Sequence, residues 1–453
     1  MNREIVDAAL EEASDTRDVR IAPGALSSVA EVFEENFGRD ATAVVVADGN
    51  TFGISGEEVQ QLLQGAGIET VEPYVFPARP TLYADYGNVL KLAEALAGHG
   101  AIPVAVGSGT LNDVAKRAAH EHERPYMCVG TAASMDGYTA FGGSIEKDGY
   151  KQTLACPAPR ALVADVDILV DAPAGMTASG YADLLGKVTS GADWLIADAL
   201  GVEPIDEKGW SMVQDHLRRW IGNPSGLRSG DEGAMDGLME GLVMSGLAMQ
   251  SYESSRTASG AEHQFSHLWE GEGLGRDHDP PLSHGFKVGV GSIAIAALYE
   301  RVLDRDLTDL DVESIKGSWP SKDDLERSVR AAHTTPGLDE AAVKQSLAKH
   351  PGPDDLAERL RKIREVWPDL RGRLEDQLMS AEELKDLLET AGCPTSPEEI
   401  GLDAGKLRAT YARARMIRSR YTVLDLAFET GVFDACVDEL FSPGGFWARN
   451  AKA

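Results

Sequence analysis

The sequence predicts a mostly parallel α/β domain over residues 1–172 followed by an all-helical domain over residues 173–453. Three observations predict this. Short β-branched runs alternate with helical patterns through the first third, as in a doubly wound parallel sheet. From "APAGMTASGYADLLGKV" onward the strand signals nearly stop and the 3.6-residue period takes over. The chain has 453 residues, 43% of them hydrophobic, which suits two or three domains with a large core.

Each element has a local reason. "TAVVVADGNTFG" (42–53) reads as a buried strand ending in an Asp-Gly-Asn turn, and "SGEEVQQLLQGAG" (55–67) as a helix with Ser55 as its N-cap. "VEPYVFPARP" is the next strand and "YGNVLKLAEALAGHG" the next helix. "AIPVAVGSGTLNDVAKRAAHEH" repeats the unit as strand, glycine turn and helix, and "RPYMCVGTAAS" and "PRALVADVDILV" add two strand-like runs. The sheet ends before Pro173. Beyond it, Leu356, Leu360, Ile363 and Trp367 share one helix face, and "RSRYTVLDLAFETG" reads as a buried helix closed by Gly431. Residues 270–281, "EGEGLGRDHDPP", form an acidic, glycine-rich loop.

Composition removes several classes of function. A net charge of −30 repels phosphate backbones and anionic headgroups, so neither nucleic acid nor a membrane surface is an expected partner. Four cysteines without a CxxC pair read as reduced thiols of a cytoplasmic protein. The N-terminus carries several acids where a signal peptide has an apolar core, and no apolar run is long enough for membrane insertion.

Two motifs carry chemistry. "VAVGSGTLND" sets Gly107, Ser108, Gly109 and Thr110 between a strand and a helix, where backbone N–H groups and the helix dipole can face a phosphate. Asn112 replaces the third glycine of GxGxxG, so a plain tight turn remains the alternative. Asp48 ends the earlier strand, placed either for a ribose diol or for an Asx turn. Four of the ten histidines fall between residues 263 and 284. His263 and His267 share a helix face, but Glu262 precedes the first histidine, so the HExxH protease pattern fails. They are metal ligands, catalytic groups or ordinary histidines of one helix face. Asp183 and Lys187, four apart, read alone as an exposed ion pair.

These pieces occur together, in this order, in one family. "GSGTLNDVAK", "GTAASMDGYTA", "ADVDILVDAP", "GYADLLGKVTSGADW", "SSRTASGAEHQFSH", "HGFKVGVG" and "RSRYTVLDLAFETG" span most of the chain. On these segments the chain resembles glycerol-1-phosphate dehydrogenases, including the bacterial enzymes found with arabinose-utilisation genes. That family belongs to the superfamily of dehydroquinate synthase, glycerol dehydrogenase and iron-containing alcohol dehydrogenases.

The resemblance implies a dehydroquinate synthase-like fold: a Rossmann-like NAD(P)-binding domain at 1–172, a helical metal- and substrate-binding domain at 173–453, and an active site between them. It implies one divalent metal (zinc, nickel or iron) on Asp183, His263 and His284, with His267 a polar group facing substrate. Gly107, Ser108, Gly109 and Thr110 become the pyrophosphate site, Asp113 a further cofactor-binding residue, Asp48 a ribose contact, and Thr131 with Ala132 a wall near the nicotinamide. Asp136 would bond substrate hydroxyls, and Lys187 and Arg256 the substrate phosphate; His267, Asp136 and Lys187 form the implied catalytic set. The implied reaction interconverts dihydroxyacetone phosphate and sn-glycerol 1-phosphate with NAD(H) or NADP(H), in a cytoplasmic homo-oligomer serving phospholipid metabolism. The competing readings are a sugar-phosphate cyclase of the dehydroquinate synthase type, a dehydrogenase for another polyol, and a non-catalytic relative. Two positions depart from the family pattern: Thr257 stands for Pro in "SRPASG", and Phe286 for an acidic residue after "HG".

Overall fold

The computed structural model describes residues 1–147 and 150–450. All its strands lie between residues 18 and 165: β1 (Asp18–Ala22), β2 (Ala43–Asp48), β3 (Tyr74–Phe76), β4 (Ile102–Gly107), β5 (Met127–Gly130), β6 (Gly143–Lys147), β7 (Tyr150–Leu154) and β8 (Ala161–Asp165). Six of them form one sheet in the order β1-β8-β5-β4-β2-β3. Every pair in it is parallel, with Val46 opposite Ala105 and Gly107 opposite Gly130. β6 and β7 form a separate antiparallel ribbon that the sequence reading missed. Its signal was the Asp-Gly pair at 148–149 between alternating residues.

The sheet is apolar on both faces, as a parallel sheet covered by helices must be. Val45, Val104, Val106, Val129 and Val163 face a core that includes Val29, Val32 and Phe33, together with Val59 and Leu63 of helix α1 (Glu57–Gly65). The alternate residues Val44, Val46, Ala105, Cys128 and Leu162 face a larger core that continues from the N-terminal helix into the helical region.

β3 lies to one side of β2 and β4 to the other, so the chain reverses its direction of sheet growth there. That makes the carboxyl ends of β2 and β4 the topological switch point, where open α/β sheets bind ligands. The helix α2 (Gly109–His120) starts directly from β4.

From Ala174 to residue 450 the described residues form helices and turns only. The site depends on five of these helices: α3 (Ala174–Leu185), α4 (Lys187–Ala199), α5 (Glu232–Tyr252), α6 (Ala261–Gly271) and α7 (His284–Leu303). The helix Pro353–Gln377 buries Leu356, Leu360, Ile363 and Trp367 on its inner face, and Val423–Glu429 ends before Gly431 at φ +76°. No helix is long and apolar enough to cross a membrane among the described residues.

Two local expectations are corrected. Ser55 caps nothing: its buried hydroxyl has no partner, and the helical path starts earlier, at Gly49. The cap is Asp48, whose Oδ1 accepts from the Asn50 and Thr51 N–H groups at 2.8 and 3.0 Å. The run 159–170 is a strand only to Asp165, whose side chain accepts from the Asp167 N–H and turns the remainder into the short helix Val166–Val170.

Candidate active site

A cavity of about 1040 Å³ lies between the sheet's carboxyl edge and the helical region. On the sheet side it is lined by Asp48, by Ser108, Gly109 and Thr110 of the glycine turn, and by Ser134, Met135, Asp136 and Gly137. Ser108 is the N-cap of α2 but makes no side-chain capping bond, so that helix opens its N-terminal end to the cavity.

On the helical side three side chains converge. Asp183 of α3, His263 of α6 and His284 at the start of α7 bring one ligand-type atom each to within 4.8 Å of one another. His263 Nε2 stands 3.3 Å from Asp183 Oδ1, and the His263 and His284 ring centroids are 5.3 Å apart. Glycines permit this approach. A Cβ on Gly180 would lie 2.1 Å from the Ala133 carbonyl oxygen, and one on Gly285 would lie 1.8 Å from that of Ser179. The loop carrying Asp136, the helix carrying Asp183 and the helix carrying His284 therefore stack backbone to backbone.

The donor set suits a divalent cation. His263 Nδ1 is 2.8 Å from Glu262 Oε1, and His284 Nδ1 is 3.0 Å from Glu270 Oε1. Both imidazoles thus spend Nδ1 on a buried carboxylate, and His263 turns Nε2 toward Asp183, the usual arrangement behind a metal ligand. Lys187 Nζ lies 3.0 Å from Asp183 Oδ1 and 2.8 Å from Asp136 Oδ2, and the Asp136 N–H donates to Asp183 Oδ2 at 3.0 Å. Ser245 Oγ donates to Asp136 Oδ2 at 2.9 Å, and Thr189 Oγ1 to Glu262 Oε2 at the same distance. Two carboxylates (Asp136, Asp183) share the one Lys187 ammonium, and a third, Glu262, stands behind His263, a carboxylate-rich surround that suits a bound cation.

The titration shifts point the same way. Burial alone would push the Asp183 carboxyl up, but Lys187 and the histidines hold it well below the usual range. Burial and Lys187 oppose a charge on His263, yet the bonds its ring makes to the Asp183 and Glu262 carboxylates raise its pKa. The field at this imidazole favours positive charge. Glu270, also opposed by burial, is held well down by Lys151 and His284.

His267 lies in the cavity wall, with its ring centroid 5.9 Å from that of His263 and 5.7 Å from that of His284. Its Nδ1 is 3.4 Å from Glu270 Oε2, and burial lowers its pKa to about 3, so the ring is neutral.

Several expected residues stand elsewhere. Lys187 is fully buried behind Asp136 and Asp183 and does not reach the cavity, because both carboxylates already claim its ammonium. Its pairing with Asp183 is a buried bond, not an exposed helix-surface pair. Arg256 is also fully enclosed. Its Nη1 donates to the Tyr421 carbonyl at 3.1 Å, its Nη2 to the Asp193 carbonyl at 2.7 Å, and Nε sits 3.4 Å from Glu203. It locks α4 to the C-terminal segment and faces no ligand space. Thr131 and Ala132 are buried beneath the loop, with the Thr131 N–H donating to the Gly107 carbonyl at 3.1 Å, so Ser134 and Met135 form the wall in their place. Asp113 borders the cavity but accepts from the Ser144 N–H at 3.1 Å and pairs with Lys116 at 3.5 Å. Phe286, which departs from the acid of the family pattern, lines the cavity. The residues that sequence reasoning missed are Glu262, Glu270 and Ser245; the adjacency of Glu262 to His263 was the one visible clue.

Comparison with known proteins agrees with this geometry. The family model for iron-containing alcohol dehydrogenase matches residues 20–173. The chain is 38% identical over 258 residues to the glycerol-1-phosphate dehydrogenase [NAD(P)+] of Halalkalibacterium halodurans, covering 56% of this chain and 64% of that one, just under two thirds of its length. It is 33% identical to the enzyme of the same name from Bacillus subtilis, covering 68% of this chain and 80% of that one. Among solved structures, glycerol dehydrogenase from Schizosaccharomyces pombe superposes with a TM-score of 0.58 at 18% identity, covering 94% of this chain and 91% of that one. The shared fold is an α/β domain with a parallel sheet joined to a helical domain.

Proposed function

Since the chain belongs to the glycerol-1-phosphate dehydrogenase family, we propose that it interconverts dihydroxyacetone phosphate and sn-glycerol 1-phosphate by hydride transfer with NAD(H) or NADP(H), using one divalent metal ion. One observation carries the reading: a single cavity has an uncapped helix N-terminus on one wall and, on the other, His263 and His284, with Asp183 buried directly behind them.

In this reading Asp183, His263 and His284 hold the metal, and zinc, nickel or iron all suit such ligands. When bound, the metal supplies Lewis acidity at the ketone oxygen and the nicotinamide supplies or accepts the hydride. The remaining work belongs to the chain. Ser108, Gly109 and Thr110 bind the pyrophosphate through the open end of α2. Asp48 turns its free carboxylate oxygen to the ribose, while its other oxygen keeps the cap. Met135 and Asp136 wall the space beside the triad, and Lys187 positions Asp136 and Asp183. Glu270 orients His267, which is neutral and holds or moves the proton at the substrate's hydroxyl through Nε2. The family resemblance also supports a cytoplasmic homo-oligomer, for which sedimentation equilibrium is the measurement.

The test reloads the metal-stripped protein with single divalent metals and screens ketones with NADH and NADPH. Net cofactor consumption with dihydroxyacetone phosphate, exceeding that with unphosphorylated dihydroxyacetone, is the expected result. Turnover of a sugar phosphate without net cofactor consumption would replace the reading with a cyclase.

A further inference from the structure

With Lys187 and Arg256 enclosed, a phosphorylated substrate needs a cation elsewhere. A second cavity of about 460 Å³ adjoins the first, and His263, His267, Ser259 and Arg418 line both. The cations that line the two spaces are mostly taken. Lys151 and Lys287 lie 3.4 and 3.8 Å from Glu270, and Arg276 lies 2.6 Å from Glu146. Arg420 spends its guanidinium on the serine loop, with Nη1 2.7 Å from the Ser259 carbonyl and Nη2 3.0 Å from Ser255 Oγ. Arg418 alone among these has neither an ion pair nor a hydrogen bond among the described residues.

The surroundings of Arg418 are those of an anion subsite. Ser255, Ser259 and Ser419 line the side cavity with it, and the one carboxylate in the lining, Glu203, lies 3.4 Å from Arg256 Nε. Arg420, which lines the same cavity, has its pKa lowered to about 9, by burial first and then by the charges of Arg256 and Arg418, against Glu203. Two guanidiniums beside each other without a carboxylate bonded to either are unusual in a chain of net charge −30. Their field is compensated when a dianion enters.

We propose that Arg418 binds the phosphate of the substrate in this side cavity, so that it selects phosphorylated three-carbon ketones over unphosphorylated ones. The placement agrees with the chemistry: a short substrate whose carbonyl meets the triad and His267 extends its other end past His267 toward Arg418. The inference deepens the proposed reaction and rests on it for the identity of the substrate, though not for the anion site itself.

Two measurements on the metal-loaded protein separate the two. Titration calorimetry with inorganic phosphate reads the subsite directly, and R418M weakens that binding by roughly 100-fold while R418K recovers part of it. In turnover, the ratio of kcat/KM for dihydroxyacetone phosphate over dihydroxyacetone falls by roughly 100-fold in R418M, through KM. If the wild type binds phosphate and R418M does not, yet no phosphorylated ketone is reduced, the subsite stands and the proposed reaction falls. If R418M and R418K both keep wild-type phosphate affinity, or if the wild type binds none, the inference is overturned.

Discussion

The two walls of the cleft are built from different materials. On the sheet side the ligand surface is largely backbone: the Gly107–Thr110 turn, the uncapped start of α2 and the loop 134–137. On the helical side it is side chains, His263, His267, Glu270 and His284, backed by a buried network in which His263, Glu262, Asp183, Lys187 and Asp136 are linked by bonds of 2.8 to 3.3 Å, while His284 is bonded to Glu270 at 3.0 Å. Backbone donors are supplied by any sequence that makes the strand and the helix, so that wall tolerates substitution. A buried charge network fails when one member is lost, because the partner left behind is a desolvated charge. The comparison teaches where the molecule is fragile.

The largest expected break is on the helical side. His263→Ala or Asp183→Ala abolishes metal retention, read by elemental analysis, and lowers turnover by on the order of 1000-fold or more. His267→Gln sharpens the same wall by splitting two histidines of one helix: the metal stays, while kcat falls by about 100-fold or more. A metal-free H267Q protein would mean that His267 is a ligand too. Gly285→Ala tests the backbone stacking beneath the triad. A methyl there meets the Ser179 carbonyl, so denaturant unfolding shows a loss of about 3 kcal/mol together with weaker metal binding.

The sheet side is expected to give smaller numbers. Asp48→Ala removes a capping box and costs about 1 kcal/mol, with a rise in KM for the dinucleotide. Ser108→Ala makes the sharpest contrast, since its side chain caps nothing and its neighbours act through N–H groups. It changes dinucleotide affinity by about twofold at most. A loss comparable to that of His263→Ala would erase the distinction between the walls. Neither half offers a reactive thiol: Cys128 and Cys393 are buried and pushed up to about 12, so both stay unmodified by thiol reagents at neutral pH until the protein unfolds.

The sequence made the sheet side legible because its signals are local. "VVVAD" and "IPVAVG" are strands by their β-branched, apolar composition, and a GSG turn followed by helical periodicity gives both the strand end and the helix start. The helical periodicity of 356–367 was equally readable, because a buried face every 3.6 residues is a property of one segment. Charges were not. Lys187 and Asp183 look like an exposed pair at i,i+4, and only the packing of α5, α6 and α7 around them shows that they are buried and joined to Asp136, 47 residues earlier than Asp183. Arg256 misled for the same reason: its position beside "SGAEHQFSH" suggested a ligand contact, while its side chain turns to the Tyr421 and Asp193 carbonyls.

By itself, then, the sequence determined the strand-and-helix order, the switch from parallel sheet to helices, the glycine turn between β4 and α2, and which residue types gather in the motifs. The tertiary structure decided what each charged group does: which lysine is a buried counter-ion, which glutamates fix the imidazoles, and which arginine keeps a free guanidinium. Secondary structure follows from neighbours along the chain. The role of a charge follows from its solvation and its partners, and here those partners come from helices separated by tens to hundreds of residues.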